Sequence, residues 1–291
     1  MSKLVFLIIA VLILSLVGGL LLGGCLLLGG CSPEDNQKLK VVTSTSLIAD
    51  IVERVGGDEV NVVNIIPPAQ CPGHFDVKPG DIQSLADADL FLMHGWQGEK
   101  FTEDLIASAK NPGLTVVRLD IPSNPQSNWM TPPVQIEAID KITDSLCQVD
   151  TKNNSAYLKS AAARADKIEA KGTEIKTRLA EVNPASFNVM CDEQQAGFVR
   201  WAGFNIIATF GRPDSLTPQV VKELVDKGRE EKVTLIIDNM QSGKDAGAGI
   251  AEELGSKRVI LSNFPGGFEN TETWEKAVEY NVDLLMGAIG Q

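Results

Sequence analysis

"LKVVTSTSLIADIVERVGGDEVNVVNIIPP", residues 39–68, sets two β-branched runs on either side of a segment with helical spacing. In the middle, Leu47, Ile48, Ile51, Val52 and Val55 recur at the intervals that gather side chains on one helix face, and Gly56-Gly57 stops the run. "LKVVTST" and "VNVVNIIPP" read as strands. Strand, helix and strand in that order predict parallel α/β architecture.

The rhythm continues outward. "GDIQSLADAD" is a short helix with Asp81 near its cap, and "LFLMHG" and "LTVVRLD" are two more strands. Residues 121–133, rich in Pro, Ser and Asn, read as a loop or crossover. Val134, Ala138, Ile139, Ile142 and Leu146 then mark one helix. Leu158, Ala161, Ala165, Ile168, Ile175, Leu179 and Val182 mark a second of about thirty residues, on the order of 45 Å long. Such a length suits a connector lying across two lobes. Beyond Asn183-Pro184 the strands return as "FNVMC", "FNIIATF", "VTLIIDN" and "RVILSN". The fold expected is α/β: two lobes with parallel sheets flanked by helices, joined by a long backbone helix. The expected boundaries are a tether at 32–38, an N-terminal lobe at 39–133, connector helices at 134–183 and a C-terminal lobe at 184–291.

Residues 1–31 stand apart. Between Lys3 and Glu34 there is no charge, and the run is almost wholly apolar, as in a secretory signal or a membrane anchor. "LLLGGC" occurs at 20–25 and again at 26–31, and Leu-Gly-Gly-Cys looks like a lipobox. The polar "SPEDNQK" that follows favours Cys31 over Cys25 as the lipidated residue. Either reading puts the protein outside the cytoplasm, in the periplasm or at the cell surface, anchored to a membrane. The net charge of −12 and the lack of a basic run argue against a nucleic-acid partner. Cys71, Cys147 and Cys191 remain in the body of the chain, which allows at most one internal disulfide.

Open parallel sheets bind ligands beyond the carboxyl ends of their strands. The residues following each strand are Ser44 and Ser46, Cys71 and His74, His94 and Trp96, Asp120, Cys191 and Asp192, Arg212, Asp238, and Ser262 with Asn263. Both histidines of the chain and two cysteines fall on that rim.

In segment order the chain resembles the cluster-A metal-binding lipoproteins, the solute-binding proteins of zinc and manganese ABC importers. The resemblance covers roughly residues 39–290. It is carried by "KLKVVTSTSLIADIVERVGGDEVNVVNIIPP", "KPGDIQSLADADLFLMHG", "PDSLTPQVVKELVDKGREEKVTLIIDN" and "AEELGSKRVILSN". It implies a single metal held between the lobes, an ABC permease as partner, and no enzymatic activity. That family usually brings two histidines from the first lobe, then a His or Glu and an Asp from the second. Here the first histidine is displaced by one position, since Pro72 is followed by Gly73 and then His74. The second position falls near Ser127 and Asn128, the third on Cys191 and the fourth near Ser262.

The residues themselves leave alternatives open. Cys71 and His74, at Cys-x-x-His spacing, could share an ion with Cys191, His94 and Asp238, a donor set that suits Zn²⁺ best, with other late transition metals behind it. Cys71 and Cys191 could instead form a disulfide, or simply pack. Trp96, Trp129, Asn128, Arg212 and Ser262 are expected to line the cleft. Cys147 reads as packed. Three functions follow: capture of a transition metal, zinc first, by a monomer serving a permease; the same fold holding a metal chelate or small organic molecule; and an enzyme using Cys191 or Cys71 as nucleophile with His74 as base.

Overall fold

The computed structural model describes residues 37–121 and 127–290. The apolar leader with Cys25 and Cys31, and the centre of the 121–133 loop, lie outside the described residues.

The first sheet contains β1 (Leu39–Thr43), β2 (Val60–Asn64), β3 (Leu90–Met93) and β4 (Thr115–Arg118), in the order β2-β1-β3-β4 and parallel throughout. Helices α1 (Ser46–Gly56), α2 (Pro79–Ala86) and α3 (Phe101–Ala109) alternate with its strands. α4 (Pro132–Val149) begins on a proline pair, whose missing N–H groups cost nothing in a first turn, and leads into α5 (Asn154–Ala180), 27 residues and about 40 Å long. The second sheet repeats the first, with β5 (Asn188–Asp192), β6 (Asn205–Phe210), β7 (Leu235–Asn239) and β8 (Lys257–Leu261) in the order β6-β5-β7-β8, again parallel. Its helices are α6 (Ala196–Ala202), α7 (Pro218–Glu230), α8 (Ala248–Leu254) and α9 (Trp274–Ala288), with a single turn at Met240–Gly243. Among the described residues no helix is long and apolar enough to cross a membrane.

Strand pleating sends successive side chains to opposite faces. Leu39 and Val41 of β1, Leu90 and Leu92 of β3, Val189 and Cys191 of β5, and Leu235 and Ile237 of β7 all enter one apolar cluster. Ile48 and Ile51 of α1, Ile139 and Ile142 of α4, Ile168 and Ile175 of α5, and Trp274 and Val278 of α9 complete it, so a single core runs through both lobes. Residues of the opposite phase serve smaller outer cores: Val42, Phe91 and Met93 under α2 and α3, and Met190 and Ile236 under α7 and α8.

The buried positions of α5 are Tyr157, Ala161, Arg164, Ile168, Gly172, Ile175 and Leu179, three or four residues apart. At Gly172 a side chain would meet the Pro132 ring, with Cβ only 2.5 Å from Cγ, so glycine lets α4 start against α5. The one charge in this stripe is Arg164, which donates from Nη2 to Asp50 Oδ2 of α1 at 2.7 Å and from Nη1 to Glu275 Oε1 of α9. Arg164 and Asp50 are each 4% exposed. Burial raises the Asp50 pKa, with Arg164 opposing the rise. The connector thus clips a helix of each lobe through one guanidinium.

Removing one member of a buried ion set strands the others without solvent. Arg164→Met is expected to lower unfolding free energy by about 3 kcal/mol or more in urea melts. Adding Asp50→Asn should recover part of that loss, because one stranded carboxylate is then neutral.

Candidate functional site

A cavity of about 560 Å³ opens between the carboxyl ends of the two sheets. The first lobe contributes Leu47, the loop Cys71-Pro72-Gly73, Trp96, Gly98, Asn128 and Trp129; the second contributes Gln194, Arg212, Asn239, Gln241, Ser242, Asn263 and Phe264. A second cavity of about 460 Å³ adjoins it and shares Pro72, Gly73, Gly98 and Arg212, adding Phe75, Lys100 and Phe101. The strand-end rule therefore found the crevice.

Side chains stitch the two walls together. Asn128 Nδ2 donates to the Gln194 carbonyl and to Asn263 Oδ1, both at 2.8 Å, while Asn128 Oδ1 accepts from Met130 N at 2.7 Å. Gln241 Nε2 donates across the cleft to the Pro68 carbonyl at 2.8 Å and to Ser262 Oγ at 2.9 Å, and its Oε1 accepts from Asn263 N at 3.0 Å. Ser46 Oγ donates to the Pro265 carbonyl at 2.8 Å. These bonds fix a polar floor made of neutral amides.

Under the first-lobe wall the chain wraps around a buried carboxylate. Glu99 accepts from Ser44 Oγ, from Gly95 N at 2.7 Å and from His94 N at 3.3 Å. Burial still raises its pKa against those bonds. Gly95 makes the turn with φ +85°, and a Cβ there would lie 2.7 Å from Asp120 Oδ1. This turn carries Trp96 back over His94, the rings stacked at 3.6 Å and 8°, with Trp129 edge-on to His94 at 4.3 Å.

The five expected metal donors do not converge. Among the described residues no group of three or more His, Cys, Asp or Glu side chains lies close enough to hold a metal ion. Of the five, only Cys71 lines the cleft. His74 ends a short turn, Pro72–His74, exposed and outside the cavity lining. His94 is 1% exposed, its Nε2 2.7 Å from Thr45 Oγ1 and its Nδ1 without a partner, and burial holds its pKa well below the usual imidazole value. Cys191 follows Val189 in the pleat and so points into the shared core, where burial pushes its thiol pKa up. Asp238 follows Ile236 onto the outer face; there its carboxylate accepts from Gly247 N at 2.6 Å and from Arg258 Nη1 at 2.7 Å. Position at a strand end does not fix the phase of the pleat, and phase decides which face a side chain joins.

The other expectations divide similarly. Cys71, Cys147 and Cys191 are all free, so the disulfide considered between Cys71 and Cys191 does not form. Trp96, Trp129, Asn128 and Arg212 line the cavity as expected. Ser262 sits one layer below, 1% exposed, accepting from Gln241 Nε2 and from Phe264 N. Sequence reasoning missed Gly73, Gln194, Asn239, Gln241 and Lys100. The signal for Gln194, Asn239 and Gln241 was available in "DEQQ" and "DNMQS" (residues 192–195 and 238–242), amide-rich stretches at the ends of strands.

Two lobes on a long connecting helix, enclosing a preformed cleft at their strand ends, define a solute-binding protein of the helical-backbone kind. The chain matches the family described as "Zinc-uptake complex component A periplasmic" over residues 41–288, and it belongs to that family. The family comprises substrate-binding components of ABC transporters and not enzymes. Among its relatives, the iron-binding protein YfeA of Yersinia pestis is 24% identical over 278 residues, covering 89% of each chain. The manganese-binding lipoprotein MntA of Halalkalibacterium halodurans is 22% identical over 277 residues, covering 89% of this chain and 91% of its own. The fold is shared with the Ni²⁺ complex of FpvC from Pseudomonas aeruginosa, at a TM-score of 0.74 and 23% identity over 87% of this chain and 97% of that one. The crystal structure of ZnuA superposes equally well, with 19% identity over 87% of this chain and all of that one.

Beneath Ser242, Asp192 is 0% exposed, its Oδ2 accepting from Ser242 Oγ at 2.7 Å and its Oδ1 from Gln194 N at 2.8 Å. Burial raises its pKa from 3.8 to about 6, against those two bonds. A carboxyl whose pKa is raised on folding stabilises the native state below its unfolded pKa and loses that contribution as pH rises through the folded value. Asp192→Asn should therefore gain stability relative to the wild type as pH rises from about 4 to about 7, read as the difference between their thermal midpoints.

Proposed function

We propose that this chain is the extracytoplasmic receptor of an ABC importer, tethered through its N-terminal cysteine, and that it takes its cargo into the cleft between its lobes as a monomer. The cargo is a small solute that arrives with its own coordination shell or polar groups, a metal chelate or small organic molecule, in preference to a bare zinc ion. The observation that carries this reading is the lining. A cavity of about 560 Å³ walled by tryptophans, amides and one arginine, with Cys71 as its only sulfur ligand, is larger than a single ion needs and poor in ion ligands. Membership of a metal-uptake family supports metal as part of the cargo. A second reading, direct capture of a transition-metal ion, rests on that membership and on Cys71; it requires His74 and further donors to swing into the cleft.

The two are separated by metal analysis of the full chain purified in mild detergent under reducing conditions, followed by thermal-shift titration with Zn²⁺, Mn²⁺ and Ni²⁺. The expected outcome is substoichiometric metal and little response to the bare ions. Stoichiometric zinc that disappears in Cys71→Ser and His74→Ala variants would establish direct capture instead.

A further inference from the structure

The arginines of the chain offer an internal comparison. Arg54, Arg118, Arg164, Arg178, Arg229 and Arg258 each lie within salt-bridge distance of a carboxylate, and Arg200 also has an interaction. Arg212 has no partner for its guanidinium among the described residues, yet it stands between the two cavities and lines both. Lys100, lining the outer cavity, is likewise without an ion-pair partner among them. The chain has 38 acidic residues against 26 basic ones, but among the described residues no Asp or Glu lines either cavity. The nearby Asp192 is screened from the cleft by Ser242. In so acidic a protein, a crevice whose charged lining among the described residues is two cations without ion-pair partners favours an anion.

The geometry points to a carboxylate-bearing cargo, its first carboxylate taken by the Arg212 fork at the inner cavity and a second reaching Lys100 at the outer one. This rests on the reading of the cleft as the cargo site. A planar guanidinium receives a carboxylate through two parallel bonds. The approach is open because residue 73 is glycine: a Cβ there would stand 3.4 Å from Arg212 Nη1, 3.6 Å from Nη2 and 3.7 Å from Cys71 Sγ, in the path of an incoming oxygen. Hydroxyl or carbonyl oxygens of the same ligand have further donors in the wall. The indole N–H groups of Trp96 and Trp129 are buried without a hydrogen-bond partner among the described residues, and both rings line the cavity. A buried donor left unpaired is costly, and a ligand acceptor that met it would remove that cost. One fork and one ammonium balance two carboxylates. The same chemistry serves a free di- or tricarboxylate and a metal ion wrapped in one.

The test is calorimetric titration of the full chain in detergent with succinate, its neutral isostere succinamide, citrate, and zinc–citrate at one to one, beside Zn²⁺ alone. The proposal expects binding of succinate or of a citrate form and none of succinamide. Arg212→Gln should weaken that binding about tenfold or more, as expected for losing a bidentate charged pair. Arg212→Lys, which keeps the charge and loses the fork, should fall between. Thermal melts of the unliganded variants confirm their folding, and the lysine variant carries the comparison if the glutamine one fails. Binding of zinc–citrate but not citrate identifies a chelate as the source of the carboxylates; binding of citrate alone identifies a free acid. Equal affinity for succinate and succinamide, or citrate affinity unchanged in both Arg212 variants, overturns the carboxylate assignment and leaves a cleft for neutral cargo. Response to Zn²⁺ alone, or to nothing, overturns it together with the reading of the cleft on which it rests.

Discussion

The central strands β1, β3, β5 and β7 are buried on both faces, so alternate residues along them serve two different cores. Those of one phase in both sheets meet in a single apolar mass around α1, α4, α5 and α9, and the lobes are joined by the same interior that stabilises each of them. A fully buried Leu, Ile or Val side chain contributes about 1.5–3 kcal/mol relative to exposure. Separating the lobes would uncover many such side chains at once. Arg164 adds a polar condition to the apolar one, since its two carboxylate partners belong to different lobes and lose their counter-charge if α5 shifts. The cleft between the strand ends is thus bounded by lobes that share one interior.

The same constraint decides what the cleft is made of. With one phase of each central strand committed to the shared core and the other to an outer core, little of the middle of either sheet faces the crevice. What faces it are the residues just past the strands: the Cys71–Gly73 turn, the Trp96 and Gly98 loop, Asn128 and Trp129, and the amides at 194, 239, 241 and 263. Neutral amides are well suited to that position. They join both walls through Asn128 and Gln241 without placing a buried charge at the floor. The charges that do reach the cavities are Arg212 and Lys100, both cationic. Family membership and local chemistry thus speak to different levels: the family is one of substrate-binding components of ABC transporters, while the lining describes the cleft itself.

Much of the architecture was legible in the chain. Short strands rich in valine and isoleucine, helical stripes between them and the spacing of Ala161, Ile168, Ile175 and Leu179 along the connector are local patterns, because backbone periodicity acts within a few residues. The connector expected to run to Val182 ends at Ala180, a difference of the size that fraying produces. The site was legible in part. The Cys71 loop, Trp96, Asn128, Trp129 and Arg212 do border the crevice, and the strand-end rule led to them. Cys191, Asp238 and His94 obey the same rule in sequence and fail it in space: Cys191 is in register with Val189, Asp238 with Ile236, and His94 is roofed by Trp96.

By itself the sequence determined the alternation of strands and helices, the pairing into two parallel sheets, the long helix between them, and the acidic surface. Each is set by hydrophobic periodicity and composition, which need no knowledge of distant residues. Only the tertiary structure decided which ionisable groups meet. It turned the expected sulfur and carboxylate donors of the second lobe into core and ion-pair residues, and left Arg212 beside the amides of the cleft with no partner for its guanidinium among the described residues. That choice depends on the pleat phase and on partners such as Arg258 and Thr45, 20 and 49 positions away in the chain. Electrostatics and hydrogen bonding are governed by distance in space, and separation along the chain does not report it.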